Sequence, residues 1–162
     1  MYLDDAKAQF EQLCQNERIP FEARPASEAE IQNAEQQLRI RFPIAYREFL
    51  LWMGNGGHHF LDHFVFSISR LPLNQIDARE LVEDDTSETL PEDAIVLFWG
   101  NQGYYFKFIC ASDGDNPRVH EFYEGEGFTW NQFENIEALL LNGIEWYEER
   151  LKSSNSPIVW QG

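Results

Sequence analysis

Three stretches of this chain and two isolated cysteines carry residue types able to do chemistry. HHFLDH brings His58, His59, Asp62 and His63 together. Imidazoles at i and i+4 on a helix, as in HExxH, ligate a transition metal. Here no glutamate occupies the second motif position and the segment falls between a glycine-rich stop and a strand, so solvated loop histidines are expected. Asp113-Gly114-Asp115-Asn116 opens like a calcium loop but lacks the further oxygen ligands and the terminal bidentate glutamate, which makes it a polar turn. Gly54-Asn55-Gly56-Gly57 has no following Lys-Ser/Thr and comes after a helical pattern, where the dipole repels anions; it reads as a stop signal. Cys14 and Cys110 lie far apart without a motif and read as buried thiols of a cytosolic protein. There is no GxSxG, no Cys/His signature and no dinucleotide fingerprint, and no carboxylate pair is singled out as general acid and base. The expectation is a non-enzyme with no metal and no cofactor.

Charge is the stronger signal. The 162 residues include 28 acids and 12 Lys/Arg, a net of −16. Residues 1–70 hold 10 acids and 7 bases, whereas residues 71–149 hold 18 acids against Arg79, Lys107 and Arg118, a net of −15. Such a field repels nucleic-acid backbones and anionic membranes and draws a basic partner. Aromatic residues are plentiful, but without Lys and Arg between the rings they make no nucleic-acid platform. No apolar run approaches the ~20 residues that span a bilayer. The N-terminus, MYLDDAKAQFEQL, is acidic and amphipathic and is not a signal peptide, so a cytoplasmic location is expected.

The elements that must position these groups are legible as periods. Leu3, Ala6, Phe10, Leu13 and Cys14 form a one-sided helical stripe. Pro20 and Pro25 then impose an extended connector. In SEAEIQNAEQQL, Ser27 and Glu30 make a capping box ahead of Ile31, Ala34 and Leu38. The link RIRF turns Ile40 and Phe42 inward, and Pro43 opens a third helix with Ala45, Tyr46, Phe49, Leu50, Trp52 and Met53 on its apolar face. Gly54, Gly56 and Gly57 are expected in left-handed conformations that end it.

From His59 the period becomes two. FVFSI, AIVLFWG, YYFKFIC and RVHEFY read as strands, with GEGFTW as a turn or short edge strand. LPLNQIDARELVEDDTSETLPED reads as a short helix and then an acidic loop. FENIEALLLNGIEWYEERL reads as a closing helix, with Phe133, Ile136, Leu140, Ile144, Tyr147 and Leu151 on one face and a kink or break at Asn142-Gly143. The class is α+β: N-terminal helices and a C-terminal helix packed on a mainly antiparallel sheet. One domain is expected over residues 1–162, with a core at 27–151 and an added N-terminal helix.

SEAEIQNAEQQLRIRFPIAYREFLLWMGNGG resembles the opening motif of SUKH-superfamily domains of the SMI/KNR type, through Ile31, Glu35, Leu38, Pro43, Tyr46, Phe49, Leu50, Asn55, Gly56 and Gly57. Arg39 stands where that motif usually has glycine, and Phe42 replaces the usual leucine before the proline. AIVLFWGNQGYYFKF is similar to the family's strand-glycine-strand hairpin, and NPRVHEF and FENIEALL follow in the family's order. The resemblance implies a non-enzymatic protein-binding domain: an immunity protein of a bacterium that neutralises a secreted toxin, in many cases a nuclease, or else an intracellular regulatory scaffold docking a host protein.

A nuclease must be basic where it holds phosphates, so the acidic half offers the complementary field. The candidate contacts are Glu83, Asp84, Asp85, Asp113, Asp115, Glu124 and Glu126, with Trp99, Tyr104 and Tyr123 as aromatic anchors. A small-molecule site in a cleft near the GNGG turn is a weaker third reading.

Overall fold

The computed structural model describes residues 1–20, 22–57, 60–61 and 63–153. Three helices come first: α1 (Asp4–Glu17), α2 (Glu28–Leu38) and α3 (Ile44–Met53). They are followed by β1 (Phe64–Val65), a 3-10 turn at Ile68–Arg70 and α4 (Leu71–Asp85). Strands β2 (Ala94–Gly100), β3 (Tyr105–Cys110), β4 (Val119–Tyr123) and β5 (Gly127–Phe133) lead to α5 (Ile136–Ser153). The strands form one antiparallel sheet in sequence order, so each pairs with its neighbour in the chain. The architecture is the α+β arrangement expected. Among the described residues no helix is long and apolar enough to cross a membrane.

Both faces of the sheet are covered, which is why AIVLFWG reads as an unbroken apolar run. Ile95, Leu97, Ile109 and Val119 join the larger core with Phe10 of α1, Phe49 and Leu50 of α3, and Leu140 and Ile144 of α5. On the opposite face Val96, Phe106, Phe108 and Phe122 pack with Ala78 and Val82 of α4. A bulge between Val96 and Phe98 sends both Leu97 and Phe98 into the larger core. Burying this much aromatic and aliphatic surface is the dominant stabilising term.

The capping box is present: Ser27 Oγ accepts Glu30 N at 3.1 Å and Glu30 accepts Ser27 N at 2.7 Å. The Ser27 amide, more than any other neighbour, holds the Glu30 carboxyl below its usual range. Of the three glycines after α3 only Gly56, at φ 116°, has positive φ, and Gly54 has helical φ −64°. Gly54 is needed for a different reason: a Cβ there would lie 2.8 Å from the Ala26 Cβ. The turn is laced to the connector by Arg24 N to Gly56 O and Asn55 N to Arg24 O, both 2.8 Å.

Several local readings are corrected. FVFSI supplies only a two-residue strand before the chain enters the 3-10 turn. Glu83, Asp84 and Asp85 lie in the last turn of a 15-residue helix, not in an acidic loop. GEGFTW opens a full seven-residue strand that also takes in Phe133, so α5 begins later, at Ile136, with the Asn135 side chain accepting Ala138 N at 2.8 Å. Asn142-Gly143 does not break α5. Glycine there admits Leu61, whose Cδ2 would be 3.0 Å from a Cβ.

Candidate functional site

The ten candidate residues divide between opposite ends of the sheet. At one end the β2–β3 and β4–β5 turns meet, with Glu124 N donating to Tyr104 O at 2.8 Å. Asp85 reaches the same place from the end of α4, its Oδ2 accepting Gly125 N at 2.8 Å. The exposed carboxylates of Glu83, Asp84, Glu124 and Glu126 are thereby drawn into one neighbourhood around Asp85. Tyr104 and Tyr123 are partly buried beside them, their rings 5.3 Å apart, and Tyr123 also stacks on Tyr105. Trp99, in β2, is partly buried and stacked on Phe106 at 5.7 Å.

Asp113 and Asp115 are exposed at the other end, in the β3–β4 connection, and belong to a different site. There a cleft of about 730 Å³ opens between Asp93, the 112–118 segment, His120 and residues 130–135. A neighbouring cleft, lined in part by Arg39, Arg41, Ile44 and Asp115, shares Asp93 as a wall.

The first cleft holds a constellation that spacing in the sequence did not suggest. Cys110, Asp113 and His120 place ligand-type atoms within 4.8 Å of one another. That set is suited in type to a transition metal or to thiolate chemistry. The hydrogen bonding opposes both uses. Asn131 N donates to His120 Nδ1 at 2.8 Å, so the neutral ring carries its proton on Nε2, which faces Asp113 Oδ2 at 3.5 Å. A metal-ligating or proton-accepting Nε2 needs the opposite tautomer, with Nδ1–H donating to an acceptor. The thiol is likewise suppressed: burial, with the nearby Asp93 and Asp113 charges, pushes Cys110 up to about 12. Both cysteines are free and buried, and burial, aided by Glu11, also raises Cys14.

Of the histidine cluster in HHFLDH, His58, His59 and Asp62 lie outside the described residues. His63 packs against the rings of Phe64 and Trp146.

A family model described as SMI1 / KNR4 family (SUKH-1) matches residues 25–149. The chain belongs to this family. A comparison with curated proteins finds no match. In this SUKH-1 domain the opening motif builds the scaffold. Ile31, Tyr46, Phe49 and Leu50 are core residues. Glu35 accepts Phe42 N at 2.9 Å and pairs with Arg47 at 2.9 Å, fixing the link between α2 and α3. The Asn55 side chain donates to Pro25 O and to Glu30, tying the glycine turn to the start of α2. The second cleft reaches Arg39, Ile40 and Phe42 of the link, but neither cleft is lined by the GNGG residues.

Sequence reasoning missed His120, Trp130, Asp93 and Glu134, which line the first cleft, and gives Asn116, also in that lining, only as part of a polar turn. For Trp130 a signal existed: FTW places Phe128 and Trp130 on one face of a strand at period two.

Proposed function

We propose that this SUKH-1 domain is a non-enzymatic, cytoplasmic immunity protein of a bacterium that neutralises a basic toxin domain, of the nuclease class, by direct binding. The observation that carries the reading is the junction of α4 with the β4–β5 turn, where Asp85 on Gly125 N gathers Glu83, Asp84, Glu124 and Glu126 on an exposed surface. Toxins that hold phosphates present clustered Lys and Arg, and the opposite charge of this exposed acidic surface attracts them. Steering by such a surface raises the association rate, and the partly buried Tyr104 and Tyr123 beside it supply the apolar contact that slows departure. The tautomer of His120 and the suppressed Cys110 thiol support a binding role over catalysis. Free buried thiols suit a reducing compartment.

The test is affinity purification of the tagged protein from its native cells, followed by association kinetics with what is recovered. A stoichiometric basic toxin is expected. The variant E83K/D84K/E124K/E126K is expected to slow association by about tenfold or more at low salt, with a smaller change in dissociation. Reproducible recovery of a host protein without a toxin would replace this reading with that of a regulatory scaffold.

A further inference from the structure

The cleft at the far end of the sheet has features that the charged junction lacks. The second sheet face carries a row of rings, Trp99 on Phe106, Phe106 on Phe122, Phe122 against Phe128, and Phe128 on Trp130. Every ring in the row is at least partly covered until Trp130, which is 49% exposed. Trp130 is held in place by Phe128 at 4.8 Å, His120 at 5.1 Å and Phe108 at 5.7 Å, so its indole is rigidly presented at the cleft. Cations of this chain lie over Trp52, Phe133 and Trp146, but among the described residues none lies over Trp130.

The polar lining complements that indole. Asp93, Asp113 and Glu134 line the cleft with one cation, Arg118, which is exposed and makes no ion pair with them among the described residues. Asn116 Oδ1 is buried in the same lining without a hydrogen-bond donor among the described residues. An orphan acceptor, carboxylates and an open indole together ask for a planar cation with several N–H donors. Guanidinium has that shape, whereas an ammonium presents a point charge. The volume of about 730 Å³ admits a side chain together with its flanking backbone.

We propose that this cleft is a receptor for an arginine side chain of a protein partner, with Trp130 as its stacking platform, Asp113 and Glu134 as its counter-charges and the Asn116 carbonyl as an acceptor. The proposal rests on the protein-binding reading only for where the arginine comes from. It also makes the partner's footprint bipartite, since the acidic junction lies at the opposite end of the sheet.

The probe is N-acetyl-arginine amide, titrated into the ¹⁵N-labelled full chain. The Trp130 indole N–H and the Asn116 side-chain amide are followed by NMR, with Gly125 N–H at the acidic junction as internal comparison. Saturable shifts at Trp130 and Asn116 are expected, with a Kd on the order of 1–10 mM. The citrulline analogue, W130A and D113N/E134Q should each weaken binding by about tenfold. An unchanged amide spectrum elsewhere shows that the variants fold. Equal shifts with citrulline, or shifts at Gly125 as large as at Trp130, would overturn the proposal. The two readings separate cleanly. Arginine binding in a protein that recovers no toxin upholds the cleft and removes the toxin. A captured toxin whose affinity is unchanged by W130A removes the cleft alone.

Discussion

Glu48, on α3, accepts the backbone N–H of Leu3 at 3.3 Å. The same carboxylate accepts Tyr2 N at 2.9 Å and the Lys7 ammonium at 3.2 Å, and its side chain is only 3% exposed. Helix α1 has no side-chain cap of its own, so its orphan amides are satisfied from a distance. Glu137 of α5 completes the arrangement by accepting Asp5 N and Ala6 N. The helix that precedes the family-matched residues 25–149 is therefore joined to them by charge-assisted hydrogen bonds as well as by Phe10 and Leu13 in the core.

Replacing Glu48 by Ala leaves the buried Leu3 amide unsatisfied and Lys7 without its partner. A loss of about 2–3 kcal/mol in unfolding free energy is expected. Urea titration followed by far-UV circular dichroism measures it. A loss indistinguishable from that of an exposed acid such as Glu11 would show that α1 does not depend on this cap.

None of this was visible in the sequence, where Glu48 reads as one more acid on an amphipathic helix. Its burial depends on α1 returning to α3, a contact between residues 45 apart that periodicity does not encode. What was legible shares one property: the signal and the structure are local. The Ser27–Glu30 box, the Tyr46–Met53 stripe and the bounded run of β2 each contain their own cause. The pattern of strand β5 is weak in the sequence because Thr129, Trp130 and Asn131 are exposed and Asn131, at φ 55°, interrupts the alternation. The first cleft was unreadable because it assembles residues 91 to 135 through strand register and a β4–β5 bulge.

Arg39 caps α2 at φ 54°, a left-handed conformation that costs a side chain energy and glycine nothing. This is the position where the motif usually carries glycine, and the exposed arginine has no ion pair among the described residues to offset the strain. R39G is expected to stabilise by about 0.5–1 kcal/mol after the added chain entropy of glycine, roughly 1–4 °C in Tm. Thermal melts decide it, and a lower Tm would locate an unrecognised favourable contact of the arginine.

Asp93 links the two clefts, and its carboxyl titrates below the ordinary aspartate value of 3.8. Burial alone would raise it, but the hydroxyl and amide of Ser112 and its own amide outweigh burial; the Ser112 amide donates at 2.8 Å. A depressed folded-state pKa stabilises the fold above 3.8, and that contribution is lost as pH falls through the lower folded value. D93N keeps the acceptor and removes the charge. Wild type should exceed D93N in Tm by a few degrees at neutral pH, and the gap should close below the folded pKa. A gap that persists in strong acid would assign the effect to geometry and not to charge.

The thiols supply the sharpest check on the chemistry of the first cleft. With Cys110 pushed up to about 12, the ionised fraction at pH 8 is on the order of 10⁻⁴, and thiolate is the species that alkylates. Cys14 is shielded in the same way by the packing of α1. Native protein exposed to iodoacetamide at pH 8 should therefore carry no label when free cysteine has reacted completely, and should take up two labels once unfolded in urea. Mass spectrometry counts them directly. Selective labelling of Cys110 in the native state would mean that its thiolate is stabilised, which requires His120 to present a proton to sulfur or to become charged. Either change breaks the Asn131 amide bond to Nδ1 or turns the ring. That outcome would return the Cys110–Asp113–His120 cluster to consideration as a reactive or metal-binding centre, whereas silence in the native state removes thiolate chemistry at Cys110.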